Sequence, residues 1–144
     1  MDLLSLDFSD IANAGRPLTL LHPAERTPLL NGNKPITITL LGRDSDTFIK
    51  AERIIRNKRM EMAKDGVKFS AAQEDLQGWE TMARCTTGWD GIPKGWVDGT
   101  AETEPAEFSF ANGVKLYTRM RWVFEQVDKF VGTRENFLKA SSPG

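Results

Sequence analysis

Ile36-Thr37-Ile38-Thr39-Leu40-Leu41 is the stretch from which the fold is read. Ile36, Ile38 and Leu40 fall on one side and the threonines on the other, the period-2 pattern of a strand with one buried face. Upstream, Leu18-Thr19-Leu20-Leu21 is short and apolar and lies between Pro17 and Pro23, so it reads as a second strand. Between the two runs stands Asn31-Gly32-Asn33, a turn whose residues tolerate positive φ. The expectation is a small antiparallel sheet of two or three strands within residues 1–43. Pro17, Pro28 and Pro35 suit its edges, where a missing N–H costs no ladder bond.

After Gly42 the apolar period lengthens. Phe48, Ala51, Ile55 and Met62 fall within about 60° of one another at 100° per residue, which predicts a helix over roughly residues 45–64. Asp44 and Ser45 are its candidate caps and Asp65-Gly66 its end. Ser70-Ala-Ala-Gln73 is a capping-box pattern, and Ala72, Leu76, Trp79 and Ala83 then form one stripe, so a second helix is expected over about 70–85. Residues 88–107 hold Gly88, Gly91, Gly95, Gly99, Pro93 and Pro105 and read as loop or short hairpin. Ser109 can cap a third helix reaching about Arg119. A fourth follows over about 120–131, with Val123, Val127, Phe130 and Val131 on one side. The fold class is α+β: a small N-terminal antiparallel sheet followed by about four helices. The whole, 1–144, reads as one domain. It comprises a β-rich part (1–43), a helical pair (44–87), an acidic Gly/Pro loop (88–107), C-terminal helices (108–139) and a tail (140–144).

Charge narrows the function. The chain has 144 residues with 20 acidic and 19 basic side chains, so a protein that coats nucleic acid by bulk charge is not expected. The near-neutral sum is a cancellation. Residues 1–10 carry Asp2, Asp7 and Asp10 with no basic partner. Residues 50–68 hold Lys50, Arg53, Arg56, Lys58, Arg59, Lys64 and Lys68 against Glu52, Glu61 and Asp65. Residues 86–107 reverse the sign, with Asp90, Asp98, Glu102, Glu104 and Glu107 facing only Lys94. A membrane span needs about 20 apolar residues, and the longest uncharged stretches are 17–24 and 35–42. The start lacks the basic and apolar regions of a signal peptide, so an intracellular, soluble protein with no membrane partner is expected.

No phosphate-binding glycine loop, H-E-x-x-H or C-x-x-C motif occurs, and no cofactor or metal is expected. The acidic loop does not match the alternating ligands of a calcium-binding loop, since Asp90 is followed by Gly91-Ile92-Pro93. The single His22 sits at a strand end and the single Cys85 at the end of an apolar helical stripe. Neither has a partner that would make it a base or a nucleophile, and the chain reads as a non-enzyme. The candidate contact residues are therefore of another kind. Trp89 and Trp96 stand in a segment read as loop, where large aromatics either close the core or anchor a partner. Arg53 and Arg56 lie about 60° apart on the basic helix, a charged face of the kind that is commonly just solvated and that suits an acidic partner protein as well as nucleic acid.

Read in order, the second half contains Gly88-Trp89-Asp90-Gly91-Ile92, Phe108-Ser109-Phe110-Ala111-Asn112, Leu116-Tyr117, Trp122-Val123, Glu125-Gln126-Val127 and Arg134-Glu135-Asn136-Phe137. This succession, over residues 76–138, resembles the tail assembly chaperones encoded in the tail gene clusters of long-tailed, siphovirus-like bacteriophages. Members show a G-W-[DE]-G-[IV] step, an acidic loop, F-[ST]-x-x-N-x-x-x-L-[YF], and a helix with E-Q-V/I ending near N-F. Residues 92–107, with Pro93-Lys-Gly-Trp96, depart from the simplest form of that pattern. The resemblance implies a non-enzymatic protein of the host cell cytoplasm that coats the tape measure protein before tail tube polymerisation. It would then give way to the major tail tube protein, with self-association as a further implied property. Two other readings stay open at this point. One is a structural tail or neck (tail completion) protein retained in the virion. The other is a small DNA-binding regulator using the basic helix.

Overall fold

The computed structural model describes residues 3–138, and the predicted tail at 140–144 lies outside the described residues. The chain is α+β. Its elements are α1 (Ser9–Ala14), β1 (Arg16–Thr19), β2 (Leu30–Asn31), β3 (Lys34–Pro35), β4 (Thr37–Leu40), α2 (Asp46–Lys64) and α3 (Ala71–Arg84). After them come β5 (Thr86–Asp90), α4 (Lys94–Asp98), α5 (Phe110–Arg119) and α6 (Arg121–Gly132). Single 3-10 turns at Leu3–Leu6 and Arg134–Phe137 flank this set.

The Ile36–Leu41 stretch is the centre of the molecule, as its alternation requires. Ile36, Ile38 and Leu40 are buried while Thr37 and Thr39 are half-exposed. β4 is the middle strand of an antiparallel sheet of order β1-β4-β5. β1 lies two residues earlier than its apolar run suggested: Arg16 pairs with Leu40 and Thr19 with Thr37. Pro17 is accommodated because β1 is an edge. Leu20 leaves the ladder but stays buried, donating to Ile36 O and accepting from Leu29 N. The expected turn closes a separate hairpin, β2-β3, in which Gly32 takes φ 64° between Asn31 and Lys34.

The third strand corrects the reading of the 88–107 segment. Gly88, Trp89 and Asp90 belong to β5, opposite Thr39, Ile38 and Thr37 of β4. A short helix, α4, follows where loop or a short hairpin was expected. Neither run carries a period of its own, and both form only against what they pair with or pack upon.

The helices start where their caps are. Ser45 Oγ accepts from Phe48 N, while Asp44 instead takes a two-pronged ion pair from Arg134 at 2.8 and 3.1 Å. The capping box at Ser70 and Gln73 is complete in both directions. Ser109 Oγ caps α5 by accepting from Asn112 N, and Val123, Val127 and Val131 of α6 are fully buried. A side-chain amide ties α6 to the N-terminal part: Gln126 accepts from Leu21 N at 3.0 Å and donates to Leu21 O at 2.8 Å, satisfying both backbone groups beyond the end of β1.

The α3 stripe holds along part of its length. Ala83 is buried and Trp79 half-buried, but Ala72 and Leu76 are exposed. Between Ala51 and Thr81 no residue is buried, so the end of α2, the connection and the start of α3 form an arm standing off the body. Arg59 fastens it internally, with its guanidinium 5.0 Å from the Phe69 ring centroid and 3.3 Å from Glu74 Oε1.

Candidate functional site

Trp89, on β5, packs edge-on against Phe108 with ring centroids 5.0 Å apart, and its indole N–H donates to Ala106 O at 2.8 Å. Trp96, on α4, meets Trp122 of α6 edge-on at 5.5 Å. Both indoles are half-buried and pack against the core, so each has an intramolecular partner whatever else it touches.

These contacts shape the acidic segment into a built lobe. Lys94 N donates to Glu104 O, Gly95 N to Glu102 O and Ala106 N to Ile92 O, folding the segment on itself. Asn31 Nδ2, on β2, donates to both Gly91 O and Thr103 O, pinning the lobe to the hairpin. Gly95 has no room for a side chain, because a Cβ there would collide with Thr100 O. Asp90, Asp98, Glu102, Glu104 and Glu107 all point to solvent, and among the ion pairs of the described residues only Glu104 is partnered in this group, by Lys94 at 3.3 Å. Two grooves of about 400 Å³ flank α4. One is bounded by Val97, Val114, Lys115, Thr118 and Arg119, the other by Lys94, Pro105, Glu107 and Asn112. Phe110, one helical turn before Val114 on α5, is 45% exposed, with the Arg84 guanidinium 5.7 Å from its ring.

Arg53 and Arg56 lie elsewhere, exposed on the arm. α2 packs chiefly on α3 and α1, whereas α4 packs on α5, so the structure does not bring the tryptophans and these arginines together. A shallow groove of about 300 Å³ runs past Arg56, lined by Glu52, Ile55 and Arg59. The residues between and beside the two arginines escaped the sequence reading. Ile49, Arg53, Arg56 and Met60 form a single exposed stripe, and the 4-3-4 spacing that makes it was legible in the chain.

His22 Nδ1 accepts from Ala24 N and Glu25 N, and its backbone closes the 22–27 loop, in which Arg26 adopts φ 61°. Cys85 is fully buried, and that burial pushes its thiol up to about 12, with Arg84 pulling weakly the other way. Among the described residues no group of His, Cys, Asp and Glu is placed to hold a metal ion, and no helix is long and apolar enough to cross a membrane. The surface of the described residues offers grooves, exposed apolar side chains and two regions of opposite charge. Compared with models of protein families, with curated proteins and with solved structures, the chain matches none.

Proposed function

We propose that this chain is a bacteriophage tail assembly chaperone. It covers apolar helical patches of the tape measure protein in the host cell cytoplasm and gives way to the major tail tube protein. The observation that carries the reading is the ordered succession from Gly88-Trp89-Asp90-Gly91-Ile92 to Arg134-Glu135-Asn136-Phe137. The geometry supports it in one respect. Ile92, Leu116, Tyr117, Val123, Val127 and Phe137 of that succession are buried, while the α4–α5 groove is open to solvent and the Phe110 ring is exposed. A helix with an apolar stripe fits a groove of that kind.

Co-expression tests it. The wild-type chain keeps its tape measure protein soluble. The Phe110→Ser/Thr118→Lys variant, altered only at exposed positions, loses that effect while its circular dichroism is unchanged. A tape measure protein that stays insoluble beside the wild-type chain removes the reading. Mass spectrometry of purified particles separates the alternative: absence fits a chaperone, and stoichiometric presence identifies a structural tail or neck protein.

A further inference from the structure

The α4–α5 groove leaves the α2–α3 arm unused. Five of the eleven large exposed apolar side chains among the described residues lie on that arm: Ile49, Ile54 and Met60 on α2, Leu76 on α3 and Val67 between them. Apolar side chains gathered on an otherwise polar surface mark contact sites. Ile49 and Met60 are the two that share a face with Arg53 and Arg56.

Their spacing is that of a helix-pairing seam. Ile49, Arg53, Arg56 and Met60 follow one another at intervals of four, three and four residues, the repeat by which one helix presents a continuous line to a second. The line is centred roughly 140° from the face of Phe48, Ala51, Ile55 and Met62 and runs for about 17 Å. All four side chains are exposed. The interior of the seam is charged where a self-pairing helix would be apolar. Among the described residues no ion pair holds Arg53 or Arg56, nor Lys50 and Lys64, which border the seam along one side.

Charge selects the occupant. A second copy of α2, laid in either direction, would set guanidinium against guanidinium. Nucleic acid favours a continuous basic surface, but residues 46–84 hold seven acidic against eight basic side chains, and Ile49 and Met60 offer phosphates nothing. A helix with carboxylates opposite the two arginines and apolar side chains opposite Ile49 and Met60 satisfies all four positions. We infer that α2 docks one helix of a partner protein whose own seam reads apolar, acidic, acidic, apolar at the same 4-3-4 spacing. The edge of that helix along Lys50 and Lys64 is acidic as well. One seam of this length buries under about 1,000 Å², so the contact is weak and reversible. It needs neither the tape measure protein nor the tail tube protein and stands whether or not the proposed function does.

Fluorescence anisotropy with two synthetic peptides tests it. Both are stapled on the outward face so that they are helical when free, with Ala and Gln outside the seam and its acidic edge. One carries Leu, Glu, Glu and Leu at the seam positions, the other Leu, Lys, Lys and Leu. The full chain binds the Glu peptide about tenfold or more tightly than the Lys peptide, and the preference shrinks as salt is raised. Arg53→Glu/Arg56→Glu reverses the preference, and Ile49→Ser/Met60→Ser weakens binding of the Glu peptide about tenfold. Every altered position is exposed, and unchanged circular dichroism confirms that each variant folds. Phe110→Ser/Thr118→Lys binds the Glu peptide as wild type does, which keeps this result separate from the test of the proposed function. No binding of the Glu peptide up to millimolar concentration overturns the inference. So does equal affinity for the two peptides, or binding that survives the arginine reversal. Loss of binding in the Phe110 variant overturns it by placing the peptide in the α4–α5 groove. A random-sequence DNA duplex held more tightly than the Glu peptide, and released by the arginine reversal, assigns the face to nucleic acid instead.

Discussion

The Tyr117 hydroxyl lies 2.6 Å from Thr86 Oγ1, both buried, joining α5 to the first residue of β5. Thr86 Oγ1 also reaches Met82 O at 2.8 Å. A threonine hydroxyl has one proton, and Met82 O can only accept, so that proton goes to Met82 and Tyr117 donates to Thr86. The two groups are therefore unequal. Thr86→Val leaves a buried phenol without an acceptor and costs about 1–3 kcal/mol, whereas Tyr117→Phe leaves Thr86 still bonded and costs about 1 kcal/mol or less. Urea denaturation of the two variants checks the order, and equal costs would mean the proton runs the other way.

Burial of Cys85 predicts alkaline sensitivity. Its thiol moves from an ordinary 9.0 to about 12, and burial also pushes the Tyr117 phenol up. Between those values the folded chain keeps a proton that the unfolded chain has lost, so stability is full below pH 9 and falls as pH rises toward about 12. The slope from Cys85 approaches about 1.4 kcal/mol per pH unit, and Cys85→Ala flattens it. The same burial keeps the thiol unreactive toward iodoacetamide at pH 8 until the protein is unfolded.

Gly42 is sterically committed. A Cβ there would stand 3.0 Å from Ala12 Cβ and 3.0 Å from the Phe137 ring, where α1, the start of α2 and the last 3-10 turn converge. Gly42→Ala costs about 1–3 kcal/mol by overpacking. Gly132→Ala, at the end of α6 with nothing within 4 Å, is neutral or stabilising by up to about 1 kcal/mol. Chemical denaturation of the pair shows Gly42→Ala losing stability and Gly132→Ala losing none.

The tryptophans divide stability from binding. Trp89→Ala removes a half-buried ring and the hydrogen bond to Ala106 O, costing about 2–4 kcal/mol and lowering the melting midpoint by about 6–12 °C. Trp96→Ala, which strips one ring from the Trp96–Trp122 pair, falls at the lower end of that range. A midpoint unmoved in either variant would make that indole a surface anchor with no packing role. Calorimetry reads the difference directly.

Much of the fold was legible because it follows from local periods and caps. The alternation in Ile36–Leu41 determined which face of β4 is buried, and Ser45, Ser70 and Ser109 determined where three helices begin, since each hydroxyl satisfies a backbone N–H three residues on. The sequence could not disclose β5. Thr86-Thr87-Gly88-Trp89-Asp90 has a glycine and no alternation, and it becomes a strand because β4 offers it a ladder. Nor could it tell which helical stripes are covered. Periodicity says that Ala72 and Leu76 share a face with Ala83, but only the tertiary arrangement ends the body beneath Trp79 and leaves the first two in water. Local sequence sets which side chains lie together, and the packing of distant segments decides what, if anything, lies against them.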